Sequence, residues 1–181
     1  MLRYIFTLLL VLSSLAGCSA GLQVETGQSL FRLLPGSDFI LRADVVIPPG
    51  QIRASFQGGQ RVNGAGEYEP RCELEVRDFA EEPQTIPAGS YRIVAVHGLD
   101  RYVTRPGENL MLAAAAGLQL ASDTSSEWYM RTYHMTLQAE RQAAAPVLVC
   151  GGAYNYAFYV RYPTLQEMHA ALGGYADIRL R

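Results

Sequence analysis

The stretch Cys72-Glu73-Leu74-Glu75-Val76-Arg77 alternates apolar and charged residues along its whole length. Successive side chains of an extended chain point to opposite faces. Cys72, Leu74 and Val76 are therefore expected to face a core, and Glu73, Glu75 and Arg77 to face water. A strand buried on one face only is typical of an antiparallel sheet. Similar segments recur on both sides of it, separated by Pro/Gly turns. Upstream, Phe39 to Ile47 reads as a strand that Pro48-Pro49-Gly50 turns into a second one, Gln51 to Phe56. Ile86-Pro87-Ala88-Gly89 introduces a strand over Tyr91 to His97. Downstream, Trp128 to Leu137 is a long strand rich in aromatic residues and Thr, and Val147 to Cys150 and Tyr154 to Tyr162 complete the series. Leu110 to Leu120 suits a helix by propensity, but its shortness and its surroundings favour a strand.

Ile47-Pro48-Pro49-Gly50 and Ile86-Pro87-Ala88-Gly89 echo one another. In each, Pro restricts φ and Gly supplies a turn conformation ahead of a new strand, so two similar hairpin starts are expected rather than a repeat architecture. The C-terminus differs. Thr164-Leu165-Gln166-Glu167 is a capping box, in which Thr and Glu satisfy free backbone N–H groups at a helix start. Leu165, Met168 and Leu172 then fall on one helical face. Gly173-Gly174 offers a left-handed stop, and Tyr175 to Leu180 can return as a last strand. The fold expected is one mainly antiparallel β domain, a sandwich or partial barrel, with a single helix at about 164–172.

The chain has 181 residues, enough for one domain of ordinary size. It is 49% hydrophobic and 18% charged, which argues against disorder. A net charge of -2 leaves no basic footprint for nucleic acid. All 15 basic residues are Arg. The absence of Lys excludes Schiff-base chemistry, P-loop phosphate binding and Ser–Lys hydrolases.

Arg3 is the only charge before Glu25, and an apolar run from Ile5 to Leu12 follows it, interrupted only by Thr7. Ser13 and Ser14 lead into Leu15-Ala16-Gly17-Cys18. A short positive region, an apolar region and small residues at the end describe an export signal. It is shorter than the roughly 20 apolar residues that a membrane span needs. Leu15-Ala16-Gly17-Cys18 resembles the lipobox of bacterial lipoproteins and lies where that family has it. The resemblance implies cleavage before Cys18, thioether attachment of diacylglycerol to its sulfur and acylation of the new amine. Ser19 stands where the family's inner-membrane retention signal usually has Asp, which implies the outer membrane. Residues 1–17 would then be the signal peptide, 18–37 a lipidated tether and lead-in to the fold, and 38–181 a single β-rich domain.

Beyond the anchor, Cys72 and Cys150 are the only cysteines. An even pair in an oxidising compartment is most simply a disulfide. Closing a loop of 78 residues stabilises by roughly 4–4.5 kcal/mol on chain entropy, before any native strain. The alternative is a reactive thiol or metal ligand, but there is no Cys-x-x-Cys and no base at a local spacing.

His97, His134 and His169 lie too far apart for local ligand spacing and are expected to be ordinary partly exposed imidazoles, with no metal and no cofactor. Gly-x-Ser-x-Gly does not occur, so Ser37, Ser55 and Ser90 are read as turn residues; His97 and Asp100 have no nucleophile beside them. Glu73 and Glu75 share a face and could form a glycosidase-type pair, although outward charges on an alternating strand are ordinarily solvated. Gly58-Gly59 to Gly66 reads as a mobile loop. Tyr154, Tyr156, Phe158 and Tyr162 would share one face of a strand, as would Tyr129 and Tyr133. Such ladders serve as cross-strand core pairs, or as a stacking surface for a sugar, peptide or lipid, with Tyr154, Tyr156 and Tyr162 as the stacking residues.

Four blocks, Ile47-Pro48-Pro49-Gly50, Tyr68 to Val76, Leu148-Val149-Cys150-Gly151 and Pro163-Thr164-Leu165 to Leu172, resemble short stretches of uncharacterised exported proteobacterial lipoproteins. The resemblance supports pairing of Cys72 with Cys150 and implies no activity. The expectation for function is a non-enzymatic envelope lipoprotein, a binding module or structural adaptor on the periplasmic side of the outer membrane. Its partners would be membrane lipid through acylated Cys18 and an envelope protein or cell-wall glycan, with no nucleic acid. The alternative is a cofactor-independent hydrolase acting on cell-wall material.

Overall fold

The computed structural model describes residues 30–32, 34–105, 126–139 and 145–181. Its strands are β1 (Asp38–Leu41), β2 (Val45–Ile47), β3 (Arg53–Gln57), β4 (Gln60–Val62) and β5 (Arg71–Glu75). They continue with β6 (Gln84–Ile86), β7 (Gly89–Arg105), β8 (Ser126–Gln138), β9 (Val147–Gly151) and β10 (Ala176–Arg179). Eight of them form one antiparallel sheet in the order β10-β1-β7-β8-β9-β5-β3-β4, curled into a half-barrel, while β2 and β6 pair separately. The fold is thus mainly β with one C-terminal helix, and of the two expected architectures it is the partial barrel.

The helix Leu165–Leu172 touches β3 and β5 near one end of the sheet and β10 at the other, so the sheet wraps around it. Its buried face, Met168, Ala171 and Leu172, meets Leu74, Phe56, Ile178 and their neighbours in the core. Each fully buried Leu or Met there is worth about 1.5–3 kcal/mol relative to exposure. The capping box forms as expected: Thr164 Oγ1 accepts from the Glu167 N–H at 3.2 Å, and Glu167 Oε2 accepts from the Thr164 N–H at 2.8 Å. Gly173 ends the helix at φ 54°. A Cβ there would lie 2.4 Å from Gly59 Cα, so glycine is required where the helix end meets the β3–β4 turn.

Leu30 and Leu34 are wholly buried, and Phe31 packs edge-on against Tyr133 and Tyr162. The lead-in segment has therefore joined the core by Leu30.

Several expected elements change. Phe39 to Ile47 is two strands in different sheets. The exposed Arg42-Ala43-Asp44 separates them, and Asp44 Oδ1 accepts from the Ala88 N–H at 2.7 Å. The two echoing Ile-Pro segments each close a strand, β2 at Ile47 and β6 at Ile86; those strands pair antiparallel, so the two turns leave from opposite ends of the pair. The Gly58–Gly66 segment is a hairpin rather than a mobile loop. Gly58 and Gly59 both have positive φ, as a two-residue turn between β3 and β4 requires. Gln57 clamps Gly66 from both sides, accepting from its N–H at 2.7 Å and donating to its carbonyl at 3.0 Å. Tyr154 to Tyr162 is not a strand. Only Asn155 makes a bridge, to Tyr129; Asn155 Oδ1 then accepts from the Tyr156 N–H at 2.9 Å and the chain turns at Tyr156 to Val160. The Leu110–Leu120 segment lies outside the described residues.

Candidate functional site

Cys72 on β5 stands directly opposite Cys150 on β9, and the two form a disulfide, as expected. Both are fully buried on the core face. Their placement commits the alternate residues, Arg71, Glu73 and Glu75, to the other face of the sheet.

That face is not a solvated surface at Glu73. Glu73 is 6% exposed, and three guanidinium groups surround it. Its Oε2 accepts from Arg53 Nη1 at 3.1 Å and from Arg101 Nη1 at 3.0 Å, while Arg71 Nε lies 3.7 Å from its Oε1. Glu75 joins the network, 3.5 Å from Arg101 and 3.8 Å from Arg53. Burial raises the Glu75 pKa above the usual carboxylate value, while Arg53 and Arg101 oppose the rise and Glu73 adds to it. The expectation of two outward, solvated carboxylates therefore fails at Glu73. Alternation chose the correct face but could not show that arginines from two other strands cover it.

Arg53 and Arg71 come from β3 and β5, next to Glu73 in the sheet. Arg101 comes from β7, with β8 and β9 between. In a flat sheet those three steps would separate the strands by roughly 14 Å, a gap that the long Arg101 and Glu73 side chains bridge between them, meeting at 3.0 Å. Strand parity also had to change. Tyr91 and Ile93 face the core, and unbroken alternation would put Arg101 there too. A register shift between Ile93 and Ala95 inserts one residue, so Val96 pairs with core residue Met135 and His97, Leu99 and Arg101 turn to the opposite face. No feature of the sequence announces this bulge.

Arg71 is the most enclosed of the three arginines around Glu73, 11% exposed. Its guanidinium lies 5.5 Å from the centre of the Tyr154 ring, and its Nη1 is 3.4 Å from the carbonyls of Ala65 and Gly66. Its Nε is buried without a hydrogen-bond partner. Together with Arg53, Arg61, Arg101, Glu73 and the 63–65 turn it lines an open depression of about 280 Å³.

On the same face His97 stands directly opposite His134, while His169 is remote and lies 3.0 Å from the Ile178 carbonyl. His134 Nε2 is 3.1 Å from Thr132 Oγ1, but that hydroxyl donates to the Leu99 carbonyl at 2.8 Å. His134 must then be the donor in its contact with Thr132, so it cannot take the Thr132 proton as a base. Burial, with Arg101 and His97 acting in the same sense and Glu73 against, holds the His134 pKa below the usual imidazole value. Among the described residues no group of three or more His, Cys, Asp or Glu is disposed to hold a metal.

The three tyrosines expected to act together separate. Tyr162 stacks on Tyr133 with ring centres 4.6 Å apart and belongs to the core edge. Tyr154 is half-buried against Arg71. Tyr156 alone lies in an exposed aromatic group. Its ring is 5.1 Å from Trp128, which is 5.7 Å from Tyr68. Tyr156 and Tyr68 are 50% and 62% exposed, and Phe158 in the adjoining turn is 98% exposed, with Tyr159 beside it. Tyr68 is brought there by the Tyr154 N–H, which donates to the Glu67 carbonyl at 2.8 Å. That non-local contact has no sequence signature, so the place of Tyr68 beside Trp128 is not legible in the chain.

Comparison with protein-family models, with curated proteins and with solved structures finds no match.

Proposed function

We propose that the protein is a non-enzymatic lipoprotein of the bacterial cell envelope, acylated at Cys18 and held at the periplasmic side of the outer membrane. There it acts as a binding module, and its contact surface is the aromatic group Tyr68, Trp128 and Tyr156 with the Phe158–Tyr159 turn. The observation that carries the binding role is that the exposed Tyr68 and Tyr156 rings flank the half-buried Trp128 side by side, with exposed Phe158 and Tyr159 in the adjoining turn. Aromatic residues with an apolar face and a polar edge suit stacking on sugar rings, since they offer large contact area with little conformational freedom to lose. A cell-wall glycan is the ligand this chemistry favours. The Cys72–Cys150 disulfide supports the compartment, because such bonds persist where thiols are not kept reduced. The hydrolase alternative gains no support from Thr132 and His134, whose hydrogen bonds run in the wrong direction for activating a hydroxyl.

Trp128 is the chain's only tryptophan and reports on the surface directly. Titration of the purified full-length protein with soluble peptidoglycan fragments should give a saturable change in its fluorescence. Tyr156→Ser should weaken that binding about fivefold to thirtyfold, the range for losing one aromatic stacking contact of about 1–2 kcal/mol. A flat titration with the folded protein would refute the glycan-binding role.

A further inference from the structure

We infer that the arginine-lined depression beside Glu73 is a binding site for a phosphate monoester. Four arginines, Arg53, Arg61, Arg71 and Arg101, line it together with Glu73, and Glu75 adjoins it through its ion pairs with Arg53 and Arg101. The local excess is two positive charges in a chain whose net charge is -2. That excess matches a dianion.

The carboxylates organise the site rather than fill it. Glu73 takes one terminal nitrogen each from Arg53 and Arg101, and Glu75 lies 3.5 Å from the other terminal nitrogen of Arg101, so Arg53 offers its outer edge to a ligand. Arg71 is held rigidly by the Ala65 and Gly66 carbonyls and by Tyr154, with its Nε buried and unbonded. Arg61 stands across the depression and is anchored by a hydrogen bond from its Nη2 to the Val46 carbonyl. The guanidinium groups thus come from four different strands, β3, β4, β5 and β7. A planar carboxylate takes one such fork, whereas the three terminal oxygens of a phosphate monoester can accept from several at once. A volume of about 280 Å³ corresponds to roughly nine water molecules, room for the phosphate and a small esterified alcohol. Guanidinium keeps its charge at every physiological pH, so the site does not switch off through its own donors.

This inference depends neither on the aromatic surface nor on acylation of Cys18. Calorimetric titration of the full-length protein in detergent with inorganic phosphate, at low ionic strength, tests it. Chloride at matched ionic strength is the control. One saturable site for phosphate and none for chloride is expected. Arg61→Gln lies outside the Glu73 network and should keep the fold while weakening phosphate binding at least fivefold. Arg53→Gln should do the same, with thermal unfolding confirming a folded protein. Glycerol 3-phosphate and monomeric dihexanoyl phosphatidic acid carry the same head group, so tighter binding of the lipid would identify a membrane source and equal binding a soluble one. Lack of saturation by phosphate, or equal affinity in wild type and Arg61→Gln, would overturn the assignment.

Discussion

Glu73 shows how far a single residue's reading carries. The alternation in Cys72-Glu73-Leu74-Glu75 correctly assigned the faces, because the pleat of a strand leaves no other choice. What covers the outer face depends on β3 and β7, and a six-residue window contains neither. The insertion at Val94 is the clearest case: one extra residue moved Arg101 from the core side to the charged side, and only the pairing of β7 with β8 reveals it. Glycine at 151 has a similar non-local cause, since a Cβ there would lie 2.7 Å from Met130 Sδ. A buried carboxylate is expensive to desolvate, and its partners are left uncompensated if it is removed. Glu73→Ala is accordingly expected to destabilise the protein by about 3–5 kcal/mol, measured by urea unfolding. A loss below about 1 kcal/mol would mean that the arginines are solvated without it.

At the scale of elements, the C-terminal helix was legible and the Tyr154–Tyr162 segment was not. The helix carries its start and stop signals locally, in Thr164, Glu167 and Gly173, so short-range sequence sufficed. The tyrosine segment alternates like a strand, but Asn155 and the Tyr156 carbonyl provide turn hydrogen bonds that compete with pairing. The helix start also has a pH signature. The Arg161 guanidinium hydrogen-bonds both oxygens of Glu167, at 2.6 and 2.5 Å, and the Thr164 N–H adds a third donor. Chiefly through Arg161, and against the effect of burial, the Glu167 pKa falls from the usual 4.5 to about 2. A depressed carboxylate stabilises the fold fully above its unfolded pKa and loses that contribution as pH falls through the folded value. The helix start should therefore hold at pH 5 and weaken between about pH 4.5 and 2. Carboxyl NMR titration of Glu167 should show a midpoint near 2, and a midpoint near 4.5 would contradict the arrangement.

At the scale of the whole molecule, the sheet, the helix and the disulfide make one half-barrel whose outer face carries a charged depression and whose turns carry exposed aromatic rings. The mainly β class and the pairing of Cys72 with Cys150 could be anticipated, because periodicity and an even cysteine pair are properties of the chain itself. The curl of the sheet and the strand order could not, since they depend on which strands pair across long intervals. The functional proposal joins this domain to Leu15-Ala16-Gly17-Cys18, a motif that implies an anchor in membrane lipid. Burial of each acyl methylene is worth roughly 0.8 kcal/mol, so two or more chains would hold the domain essentially permanently. Mass spectrometry of the N-terminal peptide, from protein recovered in the membrane fraction of an expressing bacterium, tests that proposal most directly. The predicted result is a chain beginning at Cys18 with diacylglycerol on its sulfur and an acylated amine. A chain that retains Met1, or one that carries an unmodified Cys18, would contradict it.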